Sequence, residues 1–486
     1  RAGAPALPRE FRGAWVATVA NIDWPSRRDL TTAEQRGEML RLLDRAREIG
    51  LNAIVLQVRP AADALYPSPL EPWSECLTGA GGRAPEPAWD PLAEWVAGCH
   101  ARGLELHAWF NPFRARHPSA RAPLADSHVA QREPDLVKAY GDLLWLDPGE
   151  PRAAQRMVDV VLDVVRRYDV DGVHIDDYFY PYPIATPAVG DTPAGELPFP
   201  DDASYAAYLA GGGTLSRADW RRGNVDALIE RLHGEIHRAK PWVRFGISPF
   251  GLPRPDLRPP GISGFSQYDK LHADVERWLH AGWLDYLAPQ LYWPIAQAPQ
   301  AFPVLLDAWL AQNRQARHVW PGLFTSRIGA AERAYTVDEV LQQVEVVRSR
   351  AAAGGHIHFS MVALLGNREG IADRLQQGPY AEPALVPATP WLAIEPAGPV
   401  RVALDGEAGA PTLTLSESPG APLRQAALRI RRRGQWRVAL LPLAATASWP
   451  LDPHDDVVLV QGIDRVGLAG ETVVVRRRGG VWRVEA

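Results

Sequence analysis

Cysteine is nearly absent from this chain: 486 residues carry only Cys76 and Cys99. Their spacing fits no metal motif. Export would allow the two to pair, yet Cys99 equally fits the apolar face of a helix. No run of about 18 apolar residues occurs, so no membrane-spanning helix is expected. A net charge of −5 gives no electrostatic footing for nucleic acid, which is not expected as a partner. Three signatures of catalysis are missing: a Gly-x-Ser-x-Gly elbow, a Walker loop and a glycine fingerprint for a dinucleotide. No cofactor and no metal are expected. An initiating Met is missing as well. Residues 1–9 open at Arg1, are rich in Ala and Pro, and read as a tether left after removal of a targeting segment.

What is present is an ordinary soluble composition, 46% hydrophobic and 22% charged, in a chain too long for one common domain. Strand-like apolar runs alternate with amphipathic stretches. The runs fall at 13–19, 53–58, 105–110, 172–176, 243–248, 286–291, 318–324 and 356–361. The first helix is expected over 32–49, with Met39, Leu42, Leu43, Ala46 and Ile49 on one stripe. A Thr32-x-x-Gln35 capping box would open it and Gly50 would stop it. The second carries Leu92, Trp95, Val96 and Cys99. Further helices are expected at 151–168, 216–239, 269–281, 299–313, 337–353 and 367–377.

Eight strand–helix repeats imply an α/β fold, a (β/α)8 TIM barrel over 10–382. Long βα loops at 111–150 and 178–215 follow the third and fourth strands, at the end where such barrels bind substrate. Proline spacing marks 383–390 as a semi-rigid linker. Short alternating runs separated by Gly, Pro and Asp then suggest a small fibronectin-III-like β-sandwich over 391–486. Its arginine clusters at 431–433 and 476–478 are expected on exposed strand faces, the commoner meaning of alternating Arg, with an anionic polymer as the other reading.

The most informative stretch is Asp171-Gly-Val-His-Ile-Asp-Asp-Tyr-Phe-Tyr-Pro181. Alternation puts Val173 and Ile175 on one strand face, His174 and Asp176 on the other. An inward polar residue at a strand end is costly unless used. Asp176 and Asp177 are therefore the candidate catalytic groups, with Tyr178, Phe179 and Tyr180 as walls on which sugar rings stack. Glycoside cleavage needs two carboxyl groups flanking one bond. Neighbouring strand residues point opposite ways, so a more distant partner is expected among Asp23, Asp63, Glu71 and Asp147. Arg59, Asn111, Gln290 and Tyr292 fall at other strand ends, suited to holding hydroxyls or a carboxylate; bracing the barrel top is their plainer use. His107, His174, His356 and His358 are expected to face inward. Most such histidines are satisfied core residues, although four together offer metal ligands. Eighteen tryptophans, with Trp15, Trp24, Trp73, Trp109, Trp145 and Trp293 near strand ends, favour a ligand groove over core filling alone.

These segments give the chain a resemblance to the glycosyl-hydrolase-like family ten proteins of the bacterial cell envelope. The resemblance rests on Glu10-Phe-Arg-Gly-Ala-Trp-Val-Ala-Thr-Val-Ala-Asn-Ile-Asp-Trp-Pro-Ser26, Gln57-Val-Arg-Pro-Ala-Ala-Asp-Ala-Leu-Tyr66, Glu71-Pro-Trp-Ser74 and His107-Ala-Trp-Phe-Asn-Pro-Phe-Arg114. It extends through the Asp176-Asp177 stretch to Trp220-Arg-Arg-Gly-Asn-Val225 and Pro289-Gln-Leu-Tyr-Trp293, with Gly462-Ile-Asp-Arg-Val-Gly467 in the trailing module. The resemblance implies a glycoside hydrolase acting on peptidoglycan glycan strands stripped of stem peptides. It also implies an exported, periplasmic or outer-membrane lipoprotein with septal or divisome proteins as partners, touching the membrane only through an N-terminal lipid anchor. The lipobox cysteine of that form is missing from this chain. Asp176 and Asp177 fall in the family's groove, and which is acid and which base or nucleophile stays open. The competing readings are a catalytically weak glycan-binding or septal scaffold and a glycosidase for another polysaccharide.

Overall fold

A computed structural model describes residues 3–393, 395–418, 422–444 and 446–485; Arg1 and Ala2, which open the expected tether, lie outside these. Eight parallel strands form the centre: β1 (Phe11–Val16), β2 (Ala53–Arg59), β3 (Glu105–Phe110), β4 (Gly172–Ile175), β5 (Arg244–Ile247), β6 (Tyr286–Leu287), β7 (His318–Val319 and Gly322–Leu323) and β8 (Gly355–His358). Each pairs with the next in sequence, and β8 returns to β1 with Ile357 opposite Gly13. The sheet closes through β7. Its Trp320 and Gly322 amides donate to Leu287 and Pro289, while its Pro321 and Leu323 carbonyls accept from Ile357 and Phe359. These runs are apolar because both faces are covered, by the barrel interior and by the helices outside.

Prolines shorten two of the expected strands. Pro321 has no N–H for the ladder, so the run at 318–324 is split. Pro289 ends β6 after Leu287, leaving Gln290 as isolated bridges to Phe250 and Gly322.

The interior is built from large rings accommodated by glycines. Phe11, Trp15, Trp109, Tyr286, Trp320 and Ile357 form the inner cluster, with Phe11 stacked on Trp320 at 3.8 Å between centroids. A Cβ on Gly246 would lie 1.9 Å from Tyr286 Cζ, and one on Gly172 would lie 2.3 Å from His107 Nδ1. Neither position accepts a side chain while those rings are in place. Because Ile357 faces inward, strand alternation turns His356 and His358 outward, contrary to expectation. Both bond the Tyr380 hydroxyl there.

The helices surround this wall: α1 (Thr32–Ile49), α2 (Pro91–Ala101), α3 (Pro151–Arg167), α4 (Arg217–Ala239), α5 (Val275–Ala281), α6 (Phe302–Gln312), α7 (Val337–Arg348) and α8 (Ile371–Gln377). The whole α1 stripe is buried. Its cap, however, is Thr31 with Glu34, reciprocally bonded, rather than Thr32 with Gln35. Gln35 is instead buried and donates to the Leu77 carbonyl. The stretch expected as one helix at 269–281 is broken, because His272 adopts a left-handed φ of 54°. Both cysteines are buried free thiols.

The loop after β3 carries the short strands Arg114–Arg116, Val137–Tyr140 and Leu143–Leu146, and the loop after β4 a helix at Asp202–Ala210. Beyond the barrel, antiparallel strands form two sheets. One contains β9 (Val400–Asp405), β10 (Thr412–Glu417) and β13 (Thr446–Pro450). The other contains β11 (Leu423–Arg432), β12 (Gln435–Pro442), β14 (Asp455–Asp464), β15 (Val473–Arg478) and β16 (Val481–Glu485). Leu413, Leu415, Leu428, Val458 and Val475 meet between them as a separate core. Arg431 and Arg432 pair with Asp456 and Asp455 within the sheet. This module docks on the N-terminal end of the barrel, where Arg424 and Arg465 reach Asp169 at 2.8 and 3.2 Å.

Candidate active site

β4 ends at Ile175, and the chain leaves strand alternation before its two carboxylates. That single departure lets Asp176 and Asp177 line the same cavity, at the C-terminal end of the barrel. The cavity is about 240 Å³, walled by Trp15, Trp109, Tyr178, Tyr292 and Phe359. The expectation that neighbouring residues must diverge fails here for this reason.

Asp176 is 3% exposed. Its Oδ2 accepts from Trp109 Nε1 at 2.8 Å, with Asn111 Nδ2 at 3.5 Å. Its Oδ1 has no hydrogen-bond partner among the described residues. Burial, and then the charge of Asp177, push its pKa up to about 7, against the opposing pull of Arg114 and the Trp109 N–H. Burial raises Asp177 as well, but Tyr182 and Gln290 donate hydrogen bonds to its carboxylate. Two buried neighbouring carboxyls titrate as a pair. The donors at Asp177 favour its anion, whereas Asp176 has only the Trp109 N–H and the longer Asn111 contact.

Two further cavity residues carry buried polar atoms without partners among the described residues, Gln57 Nε2 and Ser248 Oγ. Gln57 is fixed by its other atom, since Oε1 accepts from the Thr18 and Val19 amides at 3.0 and 2.9 Å. Buried polar groups in folded proteins are nearly always paired. Three orphans around one cavity suit a ligand rich in hydroxyls. Arg114 lies over the Tyr178 ring at 5.0 Å, held by the Pro60 carbonyl at 3.0 Å.

The distant carboxylates do not join this cavity. Asp23 binds the Ala17 and Val362 amides and Ser360, tying β1 to the chain after β8. Arg59 is wholly buried with Glu71 at 2.6 Å. Burial pushes Glu71 up, but Arg59 and Arg156 more than offset this and hold it below the usual range. Asp63 bonds the Ala61 amide and Ser74. Asp147 binds Ser204 and the Gly149 amide beneath the long loop. A strand-end carboxyl turns to whichever backbone amides lie nearest, which residue order does not reveal.

The other candidates divide likewise. Trp109, Tyr178, Gln290 and Tyr292 line the cavity. His174 lies among the inner rings, bonded to Trp15 and Tyr286. Asn111 orders the loop by accepting from the Arg114 amide at 2.9 Å. Tyr180 is buried against Phe199 and His272. Trp24 and Trp145 are core, with indole N–H groups on the Gln35 and Phe179 carbonyls. Trp73 borders a narrow cleft that shares Val19 and His117 with the main cavity. Trp293 borders a wider one that shares Tyr292. Tyr182, Gln57, Ser248 and His117 escaped the sequence reading. Tyr182 follows the Asp-Asp pair in Tyr178-Phe-Tyr-Pro-Tyr182, and that local aromatic density was the available signal.

One set of potential metal ligands, His233, His237 and Asp285, exists among the described residues. Asp285 precedes β6, so the set is at the opposite end of the barrel. His237 and the Trp391 indole already bond its two oxygens at 2.8 Å.

The family profile described as Glycosyl hydrolase-like 10 matches residues 10–338. The chain is 42% identical over 394 residues to Glycosyl hydrolase YngK of Bacillus subtilis (strain 168), covering 79% of this chain and 74% of that protein. It is 36% identical over 318 residues to Glycosyl hydrolase DigH of Escherichia coli (strain K12), covering 62% and 69%. Among solved structures, the PgaB (BpsB) glycoside hydrolase domain from Bordetella bronchiseptica superposes with a TM-score of 0.51 at 16% identity. That match covers 76% of this chain and 98% of that one, a likeness of fold.

Proposed function

The chain belongs to the glycosyl hydrolase-like 10 family and is a glycosyl hydrolase, and from that premise we propose that it cleaves peptidoglycan glycan strands lacking stem peptides. The observation that carries the chemistry is the Asp176 carboxyl. It is buried, its pKa is pushed up to about 7, and one oxygen is held by Trp109 while the other has no partner among the described residues. A carboxyl poised near the working pH is suited to give its proton to a leaving glycosidic oxygen. Asp177, whose anion the hydrogen bonds from Tyr182 and Gln290 favour against its burial, faces the positive charge that develops on the sugar. Arg114 steadies that anion, and Gln57 and Ser248 receive ring hydroxyls. The aromatic walls supply stacking surfaces.

Clefts on either side of the cavity support an internal attack on a long strand rather than trimming at its end. The same reading assigns the protein to the bacterial envelope, exported and lipid-anchored, with septal proteins as neighbours. The test is to incubate the full chain with sacculi stripped of peptides by an amidase, with intact sacculi, and with an unrelated exopolysaccharide, and weigh the soluble saccharides. Release from stripped sacculi alone is expected. Release from the exopolysaccharide only would overturn the substrate, and pelleting onto stripped glycan without release would make the protein a binding scaffold.

A further inference from the structure

The wider cleft beside the cavity has a chemistry of its own. It is about 420 Å³, bordered by Tyr292, Trp293, Arg327 and Arg333. Tyr292 is shared with the Asp176–Asp177 cavity, so the two spaces adjoin at that ring. Arg327 is placed rather than loose. Its guanidinium lies 4.7 Å over the Phe324 ring, and Phe324 packs on Tyr292 at 4.6 Å between centroids. Arginines that line the neighbouring cavities are spent: Arg28 pairs with Glu75, and Arg114 donates to the Pro60 carbonyl. Arg327 and Arg333 form no ion pair and donate no side-chain hydrogen bond among the described residues. Trp293 is fixed edge-on against Phe250 at 5.6 Å, leaving it as a wall of the cleft.

An aromatic wall beside an unspent, pre-oriented guanidinium matches a sugar ring that carries a carboxylate. Arg receives carboxylates through a planar two-donor fork, and prior ordering on Phe324 lowers the entropy lost on binding. We propose that this cleft is a subsite for a carboxylate-bearing sugar, with Arg327 receiving the carboxylate and Trp293 bordering the ring. The proposal rests on the reading of stripped peptidoglycan as substrate and adds a reason for the selectivity. In a stripped strand every second sugar ends its lactyl ether in a free carboxylate. In an intact strand that carboxyl is a neutral amide, and the peptide it bears adds bulk at the same place. Arg327 is thus a specificity-determining residue that distinguishes the two.

The experiment compares stripped glycan oligosaccharides with their counterparts in which the lactyl carboxylates are reduced to alcohols. Binding is measured by tryptophan fluorescence on the full chain carrying Asp176→Asn, so that turnover does not intervene. The carboxylate form is expected to bind about tenfold tighter or more at low salt, the strength of a charge-assisted hydrogen bond. Arg327→Gln should remove the preference, and Arg327→Lys should restore part of it, with melting temperature showing that each variant folds. Equal affinity for the two forms, no binding of either, or a preference that survives Arg327→Gln would overturn the proposal. Hydrolysis is scored separately on the wild-type chain. Preference without release of saccharides would sink the hydrolytic reading and leave the subsite standing. Equal cleavage and equal binding of both forms would do the reverse.

Discussion

A carboxyl whose pKa is about 7 in the folded chain, against an ordinary 3.8, holds a proton that the unfolded chain has already released in that interval. The folded state then binds more protons than the unfolded one, so stability falls as pH rises from about 4 through about 7. Asp176→Asn tests this without disturbing the geometry. The amide oxygen still accepts from Trp109, and the NH2 occupies the place of the neutral acid's OH. Calorimetry should show the variant melting with the wild type near pH 4 and several degrees above it at pH 8. Coincident melting at both pH values would contradict the buried, proton-bearing carboxyl. The Asp176-Asp177 pair was legible in the sequence because two acids at a strand end followed by aromatics are hard to explain by packing. Asp63, Glu71 and Asp147 had the same kind of position and serve other purposes. Gln57 and Ser248 are ordinary residues until the barrel brings them to one cavity.

At the level of strands and helices, the barrel interior depends on pairing rings with glycines. Gly246→Ala would drive a methyl group into the Tyr286 ring, whose nearest carbons lie 1.9 to 2.2 Å from the new Cβ. The expected loss is about 1–3 kcal/mol or more. Adding Tyr286→Leu should relieve part of that overlap, so the double variant loses less than the two singles together. Denaturant unfolding of the four proteins measures the coupling, and additive losses would place the strain elsewhere. Helical stripes were legible because a 3.6-residue period survives in sequence, as Met39 to Ile49 show. The apolar runs of β6 and β7 continue in sequence through Pro289 and Pro321, where the ladder does not, so sequence alone overstates both strands. His356 and His358 face outward rather than inward as expected, because both faces of a barrel strand are buried and alternation has no polar face to fix its phase.

Over the whole molecule, the sandwich and the cavity sit at opposite ends of the barrel. Arg424 joins the two units, with Asp169 at 2.8 Å and Asp171 at 3.5 Å. Burial pushes Asp171 up, but His100 and Arg424 more than reverse this and hold it well below the usual carboxylate range. Arg424→Ala should therefore lower stability by about 1–3 kcal/mol, between the values for exposed and buried pairs, and leave kcat on stripped glycan unchanged. A changed kcat with unchanged melting would mean that the sandwich acts on the cavity. The eight repeats and the later change of composition were legible because each is a local pattern. The docking was not, since it joins residues as far apart in sequence as Asp169 and Arg465.

In the proposed reaction Asp176 supplies the proton for glycosidic cleavage. The most direct measurement is the rate of reducing-end release from peptide-free glycan by wild type and by Asp176→Asn, at matched folded fraction and across pH. The variant is expected to be slower by about 10²-fold or more, and the wild-type rate to decline above about pH 7 as Asp176 ionises. A variant that retains the wild-type rate and pH profile would contradict it.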